Sequence, residues 1–473
     1  MSVLDINSAL TGTPWGVNVS RVALVVDPSF GRLLKELRGE RGISLRRLGA
    51  KIPCSHGYLW DLETGKKRPS LSVVVLLDAA LKADGRLSAL AHELSADSGI
   101  RLNGHSLATV EPPAGLEFAP DWRHAMGAAL DLWRGDMERR TFLRSAGFNA
   151  TAFLPPAMRW LISSLDEKPT GGGERLIGAP DVEMVREITR TYRVLDNKYG
   201  GGHVRDSVVR FLSGDVAELV NGRYDSATGR TLLGAVAETT QLAAWASYDA
   251  GMHGLAQRYF VQALRLAAGA SDRPLGAEIL AAMSHQASYM RSPAEAIDLA
   301  RAAGRAAVDA GIGAIRAESA VLEAQGHAVG GDEAACTAAL NNAEKLFDKT
   351  DRDADPQWIG YFDEAYLAAK FGHCFVALGR GDLAQRFARR SLEMDGRRYA
   401  RGRQFNLALL ALAHAQTGEV EEASRVGVEA VEAAEGLRSA RAGDYLAELA
   451  GRLSKHVGLP AVQEFSDRLA VSG

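Results

Sequence analysis

Only three cysteines occur in 473 residues, and Cys54, Cys336 and Cys374 share no paired spacing. That excludes a disulfide framework and a cysteine-based zinc motif, and it fits a reducing, cytoplasmic setting. The eleven histidines form no metal-ligating pattern either, so no metal or other cofactor is expected. No apolar run approaches the roughly 18 residues of a membrane helix. Met1 to Ser20 carries no Lys or Arg and no long apolar stretch, which argues against a cleaved secretory signal. Neither glycine run, at 171–173 or 200–202, continues into the Gly-Lys-Ser/Thr of a phosphate loop. No Ser, His and Asp set has the context of a nucleophile elbow, and an enzyme is not expected. Asp351, Asp353 and Asp355 alternate like the start of a calcium loop, but Pro356 takes the place of the required glycine and Phe362 that of the bidentate glutamate, which leaves an inter-repeat loop. The run Arg139-Arg140-Thr141-Phe142-Leu143-Arg144 resembles a twin-arginine export signal, but it lies deep in the chain without a sufficient apolar run, and reads as a helix start.

What is present is a soluble, globular composition, 47% hydrophobic and 24% charged, long enough for more than one domain. The net charge of −3 is unevenly spread: Gly31 to Ser70 carries ten basic and four acidic residues, a local +6 that leaves −9 on the rest. A compact basic module on an acidic body is the footprint of a chain with one end meeting a polyanion. Residues 1–29 read as an arm with one short strand near Val22 to Val26, and 30–97 as the basic helical module. Pro112, Pro113, Gly115 and Pro120 mark a break within 98–180, a linker and helical connector. Residues 181–473 read almost entirely as amphipathic helix rich in Ala, Leu, Arg and Glu, so the fold is expected to be all-α.

In the basic module, Phe30, Leu33, Leu34 and Leu37 form one apolar helical face. Ser44 caps a second helix with Leu45 and Leu48 inward, and Ser55 caps a third with Tyr58, Leu59 and Leu62 inward, ended by Gly65. Two short helices joined by a tight turn make the geometry that lays a recognition helix in the DNA major groove. The segment resembles the phage repressor and Cro-like (XRE) family of DNA-binding domains through Ile43-Ser44, Leu48-Gly49, Ser55, Tyr58-Leu59, Leu62-Glu63, Gly65, Arg68-Pro69-Ser70 and the helix Leu76 to Leu81. The resemblance implies a double-stranded DNA operator as partner, with Ser55, His56, Gly57, Trp60 and Asp61 facing the bases and Ser44, Arg46, Lys66, Lys67 and Arg68 on phosphates. It also implies an ion pair between Arg38 and Glu63. Three residues depart from the pattern: Pro53 stands where the family has a left-handed glycine, Gly57 offers no side chain, and Asp61 suits only a donor such as the cytosine amino group.

Helix pairs in the remainder repeat a grammar of small and large residues. Ala256, Ala296, Cys336, Ala384 and Ala423 mark equivalent points at steps of 40, 40, 48 and 39 residues. The pattern resembles tetratricopeptide (TPR) hairpins, which makes the expected architecture a small Cro-like helix-turn-helix domain followed by a TPR-like α-solenoid. A generic alanine-rich bundle is the alternative. In a TPR register, the residue six before each turn glycine faces the concave groove, which gives Trp245, Gln325 and His373, with His285 from a degenerate copy. Tyr248, Asp249 and Tyr289 follow one turn later on the same face. Such a lining suits a peptide or small-molecule signal, whereas each aromatic taken singly reads equally as packing between hairpins. The whole reads as a homodimeric bacterial transcriptional regulator with a sensing body. The rival reading is a TPR scaffold with a degenerate helix-turn-helix that acts through a protein partner.

Overall fold

The computed structural model describes residues 29–49, 52, 56–64, 66, 71–83, 85–87, 90, 115–138, 147–162, 168–351 and 355–472. They fall in two compact units, one within residues 1–110 and one within 111–473. The fold is all-α, with an N-terminal helix-turn-helix and a C-terminal helical-repeat region. Strand structure among the described residues is limited to a two-residue antiparallel pair, Gly171–Gly172 with Arg223–Tyr224, and one isolated bridge. The strand expected near Val22 to Val26 lies outside the described residues.

The first unit, the head, contains α1 (Ser29–Glu40), α2 (Leu45–Gly49), α3 (His56–Glu63) and α4 (Leu71–Leu81). Their apolar stripes meet in one core that includes Phe30, Leu34, Leu37, Leu48, Leu59, Leu62, Leu77 and Leu81; Leu33 and Leu45 pack at its edge. The Ser44 hydroxyl accepts from the Arg47 amide at 3.2 Å and caps α2 as its position predicts. Gly31 sets how closely α1 crosses α3: a Cβ there would lie 2.4 Å from the Leu62 carbonyl oxygen, so only glycine permits this approach.

The second unit, the body, opens with α5 (Trp122–Glu138) and α6 (Leu154–Ile162), then α7 (Ala179–Tyr199) and α8 (Gly201–Phe211), which continues through a π turn into α9 (Ala217–Val220). Five antiparallel hairpins follow: α10 (Ser226–Asp249) with α11 (His253–Ala270), α12 (Arg273–Tyr289) with α13 (Pro293–Ala310), and α14 (Gly313–Val329) with α15 (Glu333–Asp348). Next come α16 (Glu364–Ala377) with α17 (Gly381–Ser391), and α18 (Ala400–Gln416) with α19 (Val420–Ala434). Helices α20 (Ala440–Leu453) and α21 (Pro460–Ser472) end the unit. The five equivalent small residues, Ala256, Ala296, Cys336, Ala384 and Ala423, are all 0% exposed. The turns inside the hairpins repeat in step with them. Gly251, Arg291, Gly331, Gly379 and Gly418 all take positive φ, and Arg291 accounts for the weak look of the second copy in sequence.

Two features of the body were not legible from the repeat pattern. Helix α11 is buried nearly all round, because residues 115–138 and 147–162 cover it with Phe118, Trp122, Trp133, Phe153 and Trp160. Its polar residues bond that cover: Gln262 donates to the Gly115 and Glu117 carbonyls, Arg265 to the Ala119 carbonyl, and Gln257 exchanges hydrogen bonds with the Asn149 backbone. In addition, α7 packs against both α10 and α18, so the first and fifth hairpins are joined. Gly201 makes room at this junction; a Cβ there would lie 2.6 Å from the Ala246 carbonyl oxygen.

Candidate functional site

In the head, α3 turns Leu59 and Leu62 inward and leaves His56, Gly57 and Trp60 exposed on the opposite face, with Trp60 46% accessible. Asp61 is half-buried beside them. The Lys66 ammonium sits 4.1 Å from the centre of the Trp60 ring, a cation–π contact that holds a positive charge at the end of the face. Ser44 and Arg46 are exposed, as are Arg32, Lys35, Arg41 and Arg47. Ser55, Lys67, Arg68 and Pro53 lie outside the described residues. Behind the face, Arg38 grips Glu63 with two bonds, Nε to Oε1 at 2.5 Å and Nη2 to Oε2 at 2.9 Å, and donates from Nη1 to the Ile43 carbonyl at 2.8 Å. One guanidinium thereby ties α1 to both α3 and the turn before α2. Arg41 adds a tie the sequence reading missed, donating to the Lys82 carbonyl after α4.

In the body, Trp245, Tyr248, His285 and Tyr289 come together on an inner face that other parts of the chain partly cover; Trp245, His285, Tyr289, Gln325 and His373 remain half-buried. Trp245, Tyr248, His285 and Tyr289 form one aromatic cluster: Trp245 lies 5.4 Å from His285, Tyr248 lies 5.3 Å from Tyr289, and the Tyr248 hydroxyl meets His285 Nδ1 at 3.3 Å. Tyr248 is 0% exposed and Asp249 1%. His373 stands apart from that cluster and packs on Tyr445 of α20, while Gln325 accepts from Lys370. Burial holds His285 well below the ordinary histidine range and brings His373 down to about 3, aided by the nearby Lys370 and Arg441 charges; both rings are neutral.

Two polar groupings in this interior were missed. The first centres on Asp249, whose carboxylate accepts from the Gly201 amide and the Ser439 hydroxyl and pairs with Arg401 at 3.1 Å; Arg401 also forks onto Asp196 of α7. Nothing local in the sequence marks these partners, which lie up to 205 residues apart. The second brings Glu278 and Glu318 together beneath Tyr361, whose hydroxyl reaches Glu278 at 3.0 Å and both Glu318 oxygens. Tyr366 also reaches Glu318, at 3.3 Å. Burial, and for Glu278 the neighbouring Glu318 carboxylate, raises both carboxyls above their usual range; burial lowers Lys370 to about 7 against the pull of Glu318. The repeat could have disclosed this pair, since Glu238, Glu278 and Glu318 follow the same 40-residue step. Tyr361 itself comes from residues 349–363, the insertion that lengthens the third step to 48.

Among the described residues no group of three or more His, Cys, Asp or Glu could hold a metal ion, and no helix is long and apolar enough to cross a membrane. Residues 29–91 match a family model described as a helix-turn-helix domain. No curated protein and no solved structure matches the chain. The chain therefore carries a helix-turn-helix module of the DNA-binding kind.

Proposed function

We propose that this protein is a cytoplasmic, homodimeric transcriptional regulator of the XRE type, whose head reads a double-stranded operator and whose body is a TPR-type sensor for a peptide, small molecule or protein partner. The observation that carries the reading is the outward face of α3, where His56 and Trp60 are exposed and Lys66 sits over the Trp60 ring while the opposite face is packed, with Arg46 and Arg47 exposed on α2. Base edges offer partners to an imidazole and an indole, and phosphates to the surrounding cations. Dimerisation follows from the half-site logic of small helix-turn-helix heads. A second reading, a scaffold acting through protein contacts, draws on Gly57 and Asp61 at positions where side chains usually meet DNA.

Capture of genomic DNA fragments by the intact protein decides between the two readings. The parent chain should enrich discrete sequences, and Lys66→Ala/Lys67→Ala/Arg68→Ala should lose them. Its residual binding should show a shallower dependence on salt, by about 0.9 in log–log slope for each phosphate contact removed. Equal, salt-independent recovery by both proteins would sink the DNA reading and leave the scaffold.

A further inference from the structure

Helix α20 begins in an unusual way. Its N-cap is Ser439, so Arg441 falls in the first turn, where the helix dipole disfavours a cation. Arg441 is nonetheless 7% exposed, with its guanidinium 4.5 Å from the centre of the Tyr248 ring, 4.7 Å from that of Phe405 and 5.4 Å from that of Tyr289. These three rings come from three different hairpins and converge on one cation, with Asp249 as the counter-charge. The aromatic faces and the carboxylate together make a guanidinium box.

The fit of the present occupant is incomplete. Asp249 lies 3.8 Å from Arg441 Nη1, while its oxygens are closer to Gly201, Ser439 and Arg401. Arg441 Nε is buried without a hydrogen bond, and so is His253 Nδ1, whose ring packs on Tyr248 and Tyr289. Each unpaired buried nitrogen carries a local cost, although the Arg441 guanidinium also bonds Tyr445 of its own helix. The apolar stripe of α20, Leu446, Leu449 and Leu453, belongs to a core separate from the one containing Tyr248. The segment leading into α20 carries Gly436 at φ +78°, and its Arg438 backbone bonds only to Tyr199 and Gly202 across the α7–α8 junction. Further contacts spread along the helix, from Asp444 to the Tyr289 hydroxyl and from Tyr445 to His373, so the site recognises a peptide segment and not merely a cation.

We propose that Tyr248, Asp249, Tyr289 and Phe405 form a binding site for an arginine-bearing peptide segment, and that residues 436–453 are its internal, displaceable occupant. The proposal rests on the sensor reading of the body and names the chemistry of its signal. An arriving peptide presents an arginine to the box, Arg441 withdraws, and α20 leaves the interior.

The test uses the full chain and a fluorescein-labelled synthetic peptide of residues 436–453, followed by anisotropy. Arg441→Ala, in which the box is vacated, should bind the peptide at least about tenfold more tightly than the parent, and a peptide with alanine in place of Arg441, its Arg438 and Arg452 kept, should lose that gain, as expected for a desolvated cation–π site. Failure of a helical, cooperatively melting Arg441→Ala protein to bind, or binding indifferent to the arginine at position 441 of the peptide, overturns the proposal. Should that variant not fold, hydrogen exchange on the parent chain decides: residues 440–453 should exchange faster than 400–416, and faster still with peptide added, whereas equal protection refutes displacement. Neither readout involves DNA, so the operator-binding reading stands or falls separately.

Discussion

The two units treat charge in opposite ways. In the head, Arg32, Lys35, Arg41, Arg46, Arg47 and Lys66 are all exposed around an apolar core. In the body, Asp136, Asp196, Arg205, Asp249, Arg265, Glu278, Glu318 and Lys370 are each no more than 4% exposed. Exposed cations are well solvated and contribute little to folding, so they are free to act on a polyanionic partner. Buried ions have already been stripped of water, and they hold only while every partner stays in place. Apart from Arg38 and Arg41, which tie its helices, the head's exposed cations are therefore left for binding, and the body's buried ions concern which conformation the body keeps.

The contrast is most sharply exposed by breaking a buried pair. Arg205 donates to Asp136 and Ser247, and Tyr259 donates to the same Asp136 at 2.8 Å. Asp136→Ala should destabilise the body by about 3 kcal/mol, because it leaves the buried Arg205 guanidinium with only Ser247 and the partly exposed Asp206 as partners; denaturant unfolding of the whole chain should show the loss in the body's transition alone. A loss spread equally over both units would contradict the separation of roles.

A smaller effect is expected from Gly31→Ala. It should cost the head about 1–3 kcal/mol through the clash with the α3 backbone, and DNA affinity should fall with it because α3 shifts. Operator binding at parental strength in that variant would show that the crossing of α1 and α3 does not position the face.

The smallest concerns acid. The folded His373 has its proton affinity lowered to about 3, against an ordinary value near 6.5, so the unfolded chain binds more protons between those limits. Its contribution is complete above pH 6.5 and is lost as pH falls toward 3. At pH 5, His373→Gln should retain about 1–2 kcal/mol more of its own neutral-pH stability than the parent does. The raised Glu278 and Glu318 carboxyls act with the opposite sign, and comparing variant with parent removes them. Identical acid profiles would mean that water reaches the ring.

The head's packing was legible because its signals are local, Ser44 as a cap and Leu59 and Leu62 inward, while the Arg38–Glu63 pair came from the family resemblance. In the body the hairpin register was equally clear, since small residues and left-handed turns recur every 39 to 48 positions. Of the residues read as a groove, Tyr248 and Asp249 are buried and the other five are half-buried. What periodicity could not convey is that the interior is occupied, because Arg401, Arg441 and Tyr361 reach it from elements remote in sequence. Three of the four buried polar residues of α11, Gln257, Gln262 and Arg265, likewise bond backbone some 110 to 150 residues earlier, which no local pattern discloses.

The bond between Asp196 and Arg401 changes the kind of object the repeat region is. A linear array behaves as a chain of nearest neighbours, in which each unit can be removed or added at the cost of its own interfaces. Here the early and late helices are coupled across about two hundred residues, so the loop-closing entropy of the whole array is tied to one junction. Such a body cannot be shortened one hairpin at a time. Removing the last two helices would take Arg441 from the junction, and removing α18 would open the ring, so melting should pass from one cooperative transition to several.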